Sequence, residues 1–277
     1  MLADRTVAMI GAGSMAEALL RGIFGAGALQ PERCVVANKS NDERLGRVAS
    51  AWNVRTTRDK KRLMAESDVI VLAVKPHDMP TVLREIAPHA RPRHLVVSVA
   101  AGVPIEAIER VLAGVPVVRA MPNTSTAVRA SATAIAAGQF AREAHVTIVR
   151  QLFESVGWVG VVPERLLDVV TAVSGSGPAY VYVLAEALVD SGEQAGLPRD
   201  LALALVAQTV LGAGKMLVET GEGPQVLRGR VTSPGGTTMA GLEALEQGGL
   251  RAAVAAAVAR ATLRARELRE APAGRPG

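Results

Sequence analysis

The segment Ile10-Gly-Ala-Gly-Ser-Met-Ala16 lies between a β-branched run at residues 6–10 and a helically spaced stretch at residues 15–25. Few local patterns restrict a fold as much. Strand, glycine turn and helix in that order form the phosphate-binding corner of a dinucleotide-binding βαβ unit. Gly11 allows the tight turn, Gly13 lets a pyrophosphate approach the backbone, and Ala16 at the third small position keeps helix and sheet close. Unpaired N–H groups at the positive end of the helix dipole supply an anion site. Ile10, Gly11, Ala12, Gly13, Ser14 and Met15 are therefore candidate cofactor-binding residues.

The alternation continues downstream. Apolar runs recur at Cys34–Ala37, 69–74, 95–99 and 115–119, with weaker ones at Ser131–Ala137 and 159–162. Helical spacing separates them at 41–51, Met79–Ile86, 105–112 and 141–156. Runs apolar at nearly every position suit strands buried on both faces. The pattern predicts an α/β fold: an N-terminal Rossmann-type, doubly wound and mainly parallel sheet. Ser40 followed by Glu43 reads as a capping box opening the second helix. Beyond Pro163 helix formers are punctuated by glycine and proline turn signals, which predicts an all-α C-terminal domain of about five or six helices. The expected division is a cofactor domain at 1–163 and a helical domain at 164–277, with a frayed tail at 271–277.

Of the 277 residues 49% are hydrophobic and 21% charged, which argues against disorder, while 3% aromatic content implies an aliphatic core. The lone cysteine, Cys34, excludes a disulfide framework and multi-cysteine zinc sites, and a reducing, cytoplasmic setting is expected. His77, His89, His94 and His145 show no metal-ligand pairing, so no metal is expected. The net charge of +5 is spread along the chain, and the basic clusters at 58–62 and 260–269 read as solvated faces. No nucleic-acid partner is expected. No membrane partner is expected either, because the uncharged stretches at 169–185 and 201–214 fall short of about 18–20 residues.

Cofactor type is read at the end of the second strand. Enzymes that use NAD place a carboxylate there for the ribose hydroxyls. This chain has Ala37-Asn38-Lys39-Ser40 and no acid before Asp42. Asn38, Lys39 and Ser40 suit a 2′-phosphate, which favours NADP(H), with NADH possible. Ligands of open α/β sheets sit beyond the carboxyl ends of strands. That places Ala73, Val74, Lys75 and Pro76, and Val99, Ala100 and Ala101, beside ribose and nicotinamide. Lys75 is open to catalysis, packing or a phosphate contact.

Val231-Thr-Ser-Pro-Gly-Gly-Thr-Thr238 precedes an apolar-periodic stretch. Flexible glycines and two threonines at a helix start gather N–H groups and hydroxyls, as a small-carboxylate site requires. A capped interhelical turn is the alternative. With Leu72-Ala-Val-Lys-Pro76, Ala120-Met-Pro-Asn-Thr124 and Val173-Ser-Gly-Ser-Gly-Pro-Ala-Tyr180 in the same order, the chain resembles the pyrroline-5-carboxylate reductase family from about Val7 to Leu268. The resemblance implies hydride reduction of L-1-pyrroline-5-carboxylate, a cyclic imine carboxylate, to L-proline with NADPH or NADH. It also implies a helical domain that interlocks two subunits, with dimers assembling into larger rings. Its substrate site is similar to Ser233, Gly236, Thr237 and Thr238 here, together with Glu164. Backbone amides and Ser233 hold the carboxylate in that scheme, Thr238 bonds the ring nitrogen, and the loop faces the partner chain's nicotinamide. One departure stands out: relatives often carry Asn where this chain has Lys60.

Imine reduction needs positioning rather than a strong acid, so Thr238 is the candidate catalytic residue. Competing schemes lack residues. A nucleophile elbow needs glycines where Ser174 and Pro178 stand. A β-hydroxyacid dehydrogenase, which is similar in domain order, carries a catalytic lysine where this chain has Val181. A non-catalytic NADP-binding regulator on the same scaffold is the rival from another class. The Ser174–Pro178 segment is expected to turn the chain tightly between domains.

Overall fold

The computed structural model describes residues 2–39 and 41–270, so Ser40 and the tail 271–277 lie outside the described residues. Eight strands form one sheet: β1 (Val7–Ile10), β2 (Cys34–Ala37), β3 (Arg55–Thr57), β4 (Val69–Leu72), β5 (Leu95–Ser98), β6 (Val117–Met121), β7 (Ser131–Ala137) and β8 (Gly157–Val161), in the order β3-β2-β1-β4-β5-β6-β7-β8. All neighbours are parallel except β6 and β7, which pair Ala120 with Ile135 in antiparallel register. The order reverses at β1, which lies between β2 and β4 with Val7 opposite both Cys34 and Val69. That reversal opens the crevice in which doubly wound folds bind ligands.

Period-two alternation divides the strand residues between two cores. Val7, Met9, Val36 and Val71 pack with Leu19, Leu20 and Phe153 on one face. Ala8, Ile10, Val35 and Leu72 pack with Met79, Ile86 and Ile108 on the other. The covering helices are α1 (Ser14–Gly25), α2 (Asp42–Trp52), α3 (Lys60–Glu66), α4 (Met79–Ile86), α5 (Ile105–Glu109) and α6 (Glu143–Glu154). The cap of α2 is Asn41, whose side chain accepts from the Arg44 amide at 2.8 Å, one residue later than the Ser40 capping box predicts. The basic cluster at 58–62 is more than a solvated face: it opens α3, which buries Leu63 and Met64.

Cys34 is fully buried in β2, and burial pushes its thiol up to about 12. His94 is buried too, with Nδ1 accepting from the Arg91 amide at 3.0 Å. Desolvation first, and the Arg93 charge second, hold its pKa below the ordinary value. The unfolded chain therefore takes up this proton at a higher pH than the fold does. Stability contributed by neutral His94 is present above about pH 6.5 and is lost as pH falls through the lowered folded value. Denaturant titrations between pH 7 and 5 should show declining stability, with a slope of at most ~1.4 kcal/mol per pH unit for this proton. His94→Gln should flatten that decline; an unchanged slope would assign it to other groups.

Helical structure follows Pro163: α7 (Leu167–Val170), α8 (Gly177–Gln194), α9 (Arg199–Thr220), α10 (Pro224–Arg230), α11 (Thr237–Gln247) and α12 (Leu250–Glu270). The Ser174–Pro178 segment is not a tight turn. Residues Thr171–Gly175 form a π-helical passage, closed by the Ser176 amide on the Thr171 carbonyl at 2.8 Å, and α8 starts at Gly177. The Asn123 side-chain Nδ2 donates to the Ser174 carbonyl at 3.0 Å. A Cβ on Gly175 would come within 2.8 Å of Met121 Cε. Pro178 falls in the first turn of α8, where its missing N–H costs nothing.

Two compact units result among the described residues: those up to Ser176 together with 259–270, and Gly177–Val258. In the first, Asp168 of α7 is buried and pairs with Arg269 of α12 at 2.7 Å. In the second, α9 is long and apolar enough to cross a membrane by length and composition, and little of it is buried. The uncharged run at 201–214 understates this, because apolar Met216, Leu217 and Val218 continue the helix past Lys215.

Candidate functional site

At the crevice beside β1, the chain turns through Gly11 with φ +116°, a conformation that favours glycine. A Cβ there would lie 2.3 Å from the Ala73 carbonyl oxygen. The turn is held from both sides: the Gly11 amide donates to the Ala37 carbonyl and the Ala73 amide to the Ile10 carbonyl, each at 2.8 Å. Gly13 differs. It is the extended residue before α1, without a side-chain cap, and a Cβ on it would meet nothing within 4 Å. The first helical bond runs from the Glu17 amide to the Gly13 carbonyl, so the Ser14, Met15 and Ala16 amides precede the ladder. Ala12 and Ala16 are buried, which fixes the helix against the sheet. This open, amide-rimmed cradle fits a pyrophosphate.

A cavity of about 130 Å³ adjoins the cradle, lined by Ile10, Gly11, Ala37, Asn38, Lys39 and Val74. Sequence reasoning missed four further walls, Asp78, Thr81, Val82 and Glu85, and read Lys60 only as a departure from relatives. Lys60 is the first residue of α3, and its ammonium pairs with Glu85 of α4 at 2.5 Å. Asp42, the first acid after β2, pairs with Arg58 instead. Ala73, Lys75 and Pro76 after β4, and Val99, Ala100 and Ala101 after β5, are not among the residues lining this cavity. The Lys75 side chain is exposed, and its carbonyl accepts from the Asp78 amide at 3.0 Å ahead of the turn at Pro76. The Val99 amide donates to Leu72 at 3.1 Å, and Ala100 is buried beside partly covered Ala101.

Arg119 of β6 is buried, and its Nη1 donates to Glu164 Oε1 at 3.1 Å. The same oxygen accepts from the Ile105 amide at 2.8 Å. Glu164 therefore ties β6 to the start of α5 through Oε1.

In the second unit, Gly235 has φ +69° and Gly236 caps α11 in extended geometry. The Gly236 amide turns back onto the Ser233 carbonyl at 3.0 Å, and a Cβ on Gly236 would sit 2.4 Å from Ser233 Oγ. Glycine at 236 thus lets the Ser233 hydroxyl lie over the helix start. The first ladder bond joins the Ala240 amide to the Gly236 carbonyl, so the Thr237 and Thr238 amides precede it. Among the described residues neither threonine hydroxyl has a hydrogen-bond partner. The arrangement gathers two backbone donors and three hydroxyls at the positive end of a helix, as a small carboxylate needs.

The described geometry has counterparts. Residues 164–268 match the family model for pyrroline-5-carboxylate reductase dimerisation, and residues 6–102 match that for NADP oxidoreductase, coenzyme F420-dependent. Pyrroline-5-carboxylate reductase 2 of Bacillus subtilis is 41% identical over 98% of this chain and 97% of its own. The chain belongs to the pyrroline-5-carboxylate reductase family. The solved reductase from Coxiella burnetii superposes with a TM-score of 0.89 at 38% identity, covering 96% of this chain and 99% of that one. The Plasmodium falciparum reductase, determined with NADP bound, gives 0.86 at 29% identity and the same coverages. The dimerisation match spans α9, whose apolar face is little covered within one chain.

Proposed function

We propose that this chain reduces L-1-pyrroline-5-carboxylate to L-proline, the last step of proline biosynthesis, with substrate held at the start of α11. The helix start carries the reading: Ser233 Oγ lies where a Cβ on Gly236 would come within 2.4 Å of it, next to the unladdered Thr237 and Thr238 amides in the chain. These amides and Ser233 bind the carboxylate, and the Thr238 hydroxyl orients and polarises the ring nitrogen. Glu164 is a further substrate-binding residue in this reading. A protonated C=N is already electrophilic, so holding its carbon near attack distance, roughly 3–3.5 Å, does most of the work.

When bound, a reduced nicotinamide dinucleotide supplies the hydride. The Gly11–Met15 corner grips its pyrophosphate; Asn38 and Lys39 line the cavity next to it and, with Ser40 next in the sequence, are the residue types that suit a 2′-phosphate, which favours NADPH over NADH. Ala73–Pro76 and Val99–Ala101 flank the ribose and nicotinamide. The proposed division is a cofactor domain at 1–163 and a dimerisation and substrate domain at 164–277, the substrate loop of one subunit serving its partner's cofactor. Dimers assemble into a larger ring in the cytoplasm, without nucleic acid or membrane. The dimerisation match over residues 164–268 supports pairing of two copies through the helical domain.

Following reduced-cofactor absorbance with the imine carboxylate tests this reading. Turnover with it and none with hydroxy acids is expected. Binding of NADPH without turnover would assign a non-catalytic regulator, and turnover with hydroxy acids alone a dehydrogenase.

A further inference from the structure

The cavity beside Asn38 and Lys39 holds more charge than the end of β2 discloses. From α3 comes Lys60, with a side chain only 15% exposed, and from α4 comes Glu85, 39% exposed, the two paired at 2.5 Å. Asp78 also lines the cavity, with the neighbouring His77 imidazole 3.5 Å from its carboxylate. A carboxylate at an adenosine ribose accepts from a free 2′-hydroxyl and repels a 2′-phosphate, whereas an ammonium does the opposite. This cavity is lined by two of each, Lys39 and Lys60 with Asp78 and Glu85, and Lys60 and Glu85 are in contact.

We infer that Lys60 is a 2′-phosphate ligand that Glu85 holds in reserve, so that the pair, together with Lys39, sets the choice between phosphorylated and unphosphorylated dinucleotides. The inference rests on the cofactor reading above. A phosphate monoester carries up to two negative charges and three acceptor oxygens against one charge on Glu85, so it competes for the ammonium. With Lys60 drawn to phosphate, Glu85 is left beside the anion and limits the gain. Glu85 therefore weakens NADP(H) binding and keeps NAD(H) usable.

Calorimetric titration with 2′,5′-ADP and 5′-AMP isolates this term from catalysis. Lys60→Asn should weaken 2′,5′-ADP binding about tenfold, the loss of one charge-assisted contact, and leave 5′-AMP within about twofold; Lys60→Arg should retain most of the affinity. Glu85→Gln should tighten 2′,5′-ADP severalfold, and this gain should vanish in the Lys60→Asn background. An unchanged preference in Lys60→Asn would overturn the assignment of Lys60. A gain from Glu85→Gln that persists without Lys60 would overturn the coupling, leaving Glu85 as a simple repulsive charge. If the unaltered protein binds neither nucleotide while folded, the cofactor reading fails and the inference with it.

Discussion

Gly11→Ala is expected to damage both the fold and the cofactor site, whereas Gly13→Ala damages only the site. At position 11 an added methyl meets the Ala73 carbonyl at 2.3 Å, on backbone with φ +116°. The conformation alone costs about 1–3 kcal/mol for a non-glycine residue, and the clash is with backbone, which cannot rotate away. The melting temperature should fall by roughly 5 °C or more. At position 13 nothing stands within 4 Å and φ is −85°. Gly13→Ala should melt within about 1 °C of the unaltered protein, yet bind NADPH at least tenfold more weakly, because the methyl fills the space a pyrophosphate would take. Calorimetry and fluorescence titration of both variants decide the matter. Equal melting temperatures, or normal binding by Gly13→Ala, would contradict this account of the corner.

Thr238→Ala is expected to lower kcat/KM by about 10²-fold, as losing a single donor to a reacting group does elsewhere. NADPH affinity should stay unchanged, since the hydroxyl is assigned to the ring nitrogen of the substrate and not to the dinucleotide. Thr238→Ser, which keeps the hydroxyl, should recover most of the rate. The position falls within the first turn, and Ala is a good helix former, so the variant should fold. A near-normal kcat/KM in Thr238→Ala would remove the hydroxyl from the reaction.

What could be read from sequence follows from where each signal resides. Strands β2 and β7 coincide with their apolar runs because both are largely buried and bounded by turns. Strand β3 escaped notice: Arg55-Thr-Thr57 is three residues long, at the sheet edge, with two of them exposed, so no burial pattern marks it. Helix α3 was hidden by its own charges, although Leu63 and Met64 face the core. The glycine corner and the α11 start were legible because each is a contiguous motif whose residues act through local backbone geometry. The cavity wall was not, since Lys60 and Glu85 stand 25 positions apart on separate helices and meet only across the fold. The same holds for Arg119 and Glu164, joined from β6 and the segment after β8. Counting acids only along the end of β2 thus found Lys39 but overlooked Glu85.

The most direct test is a crystal structure of the assembled protein with L-proline and NADP. The account predicts the proline carboxylate within about 3 Å of the Thr237 and Thr238 amides, its ring nitrogen on the Thr238 hydroxyl, and its reacting carbon facing a nicotinamide. Proline bound elsewhere, with the α11 start packed against protein, would contradict it.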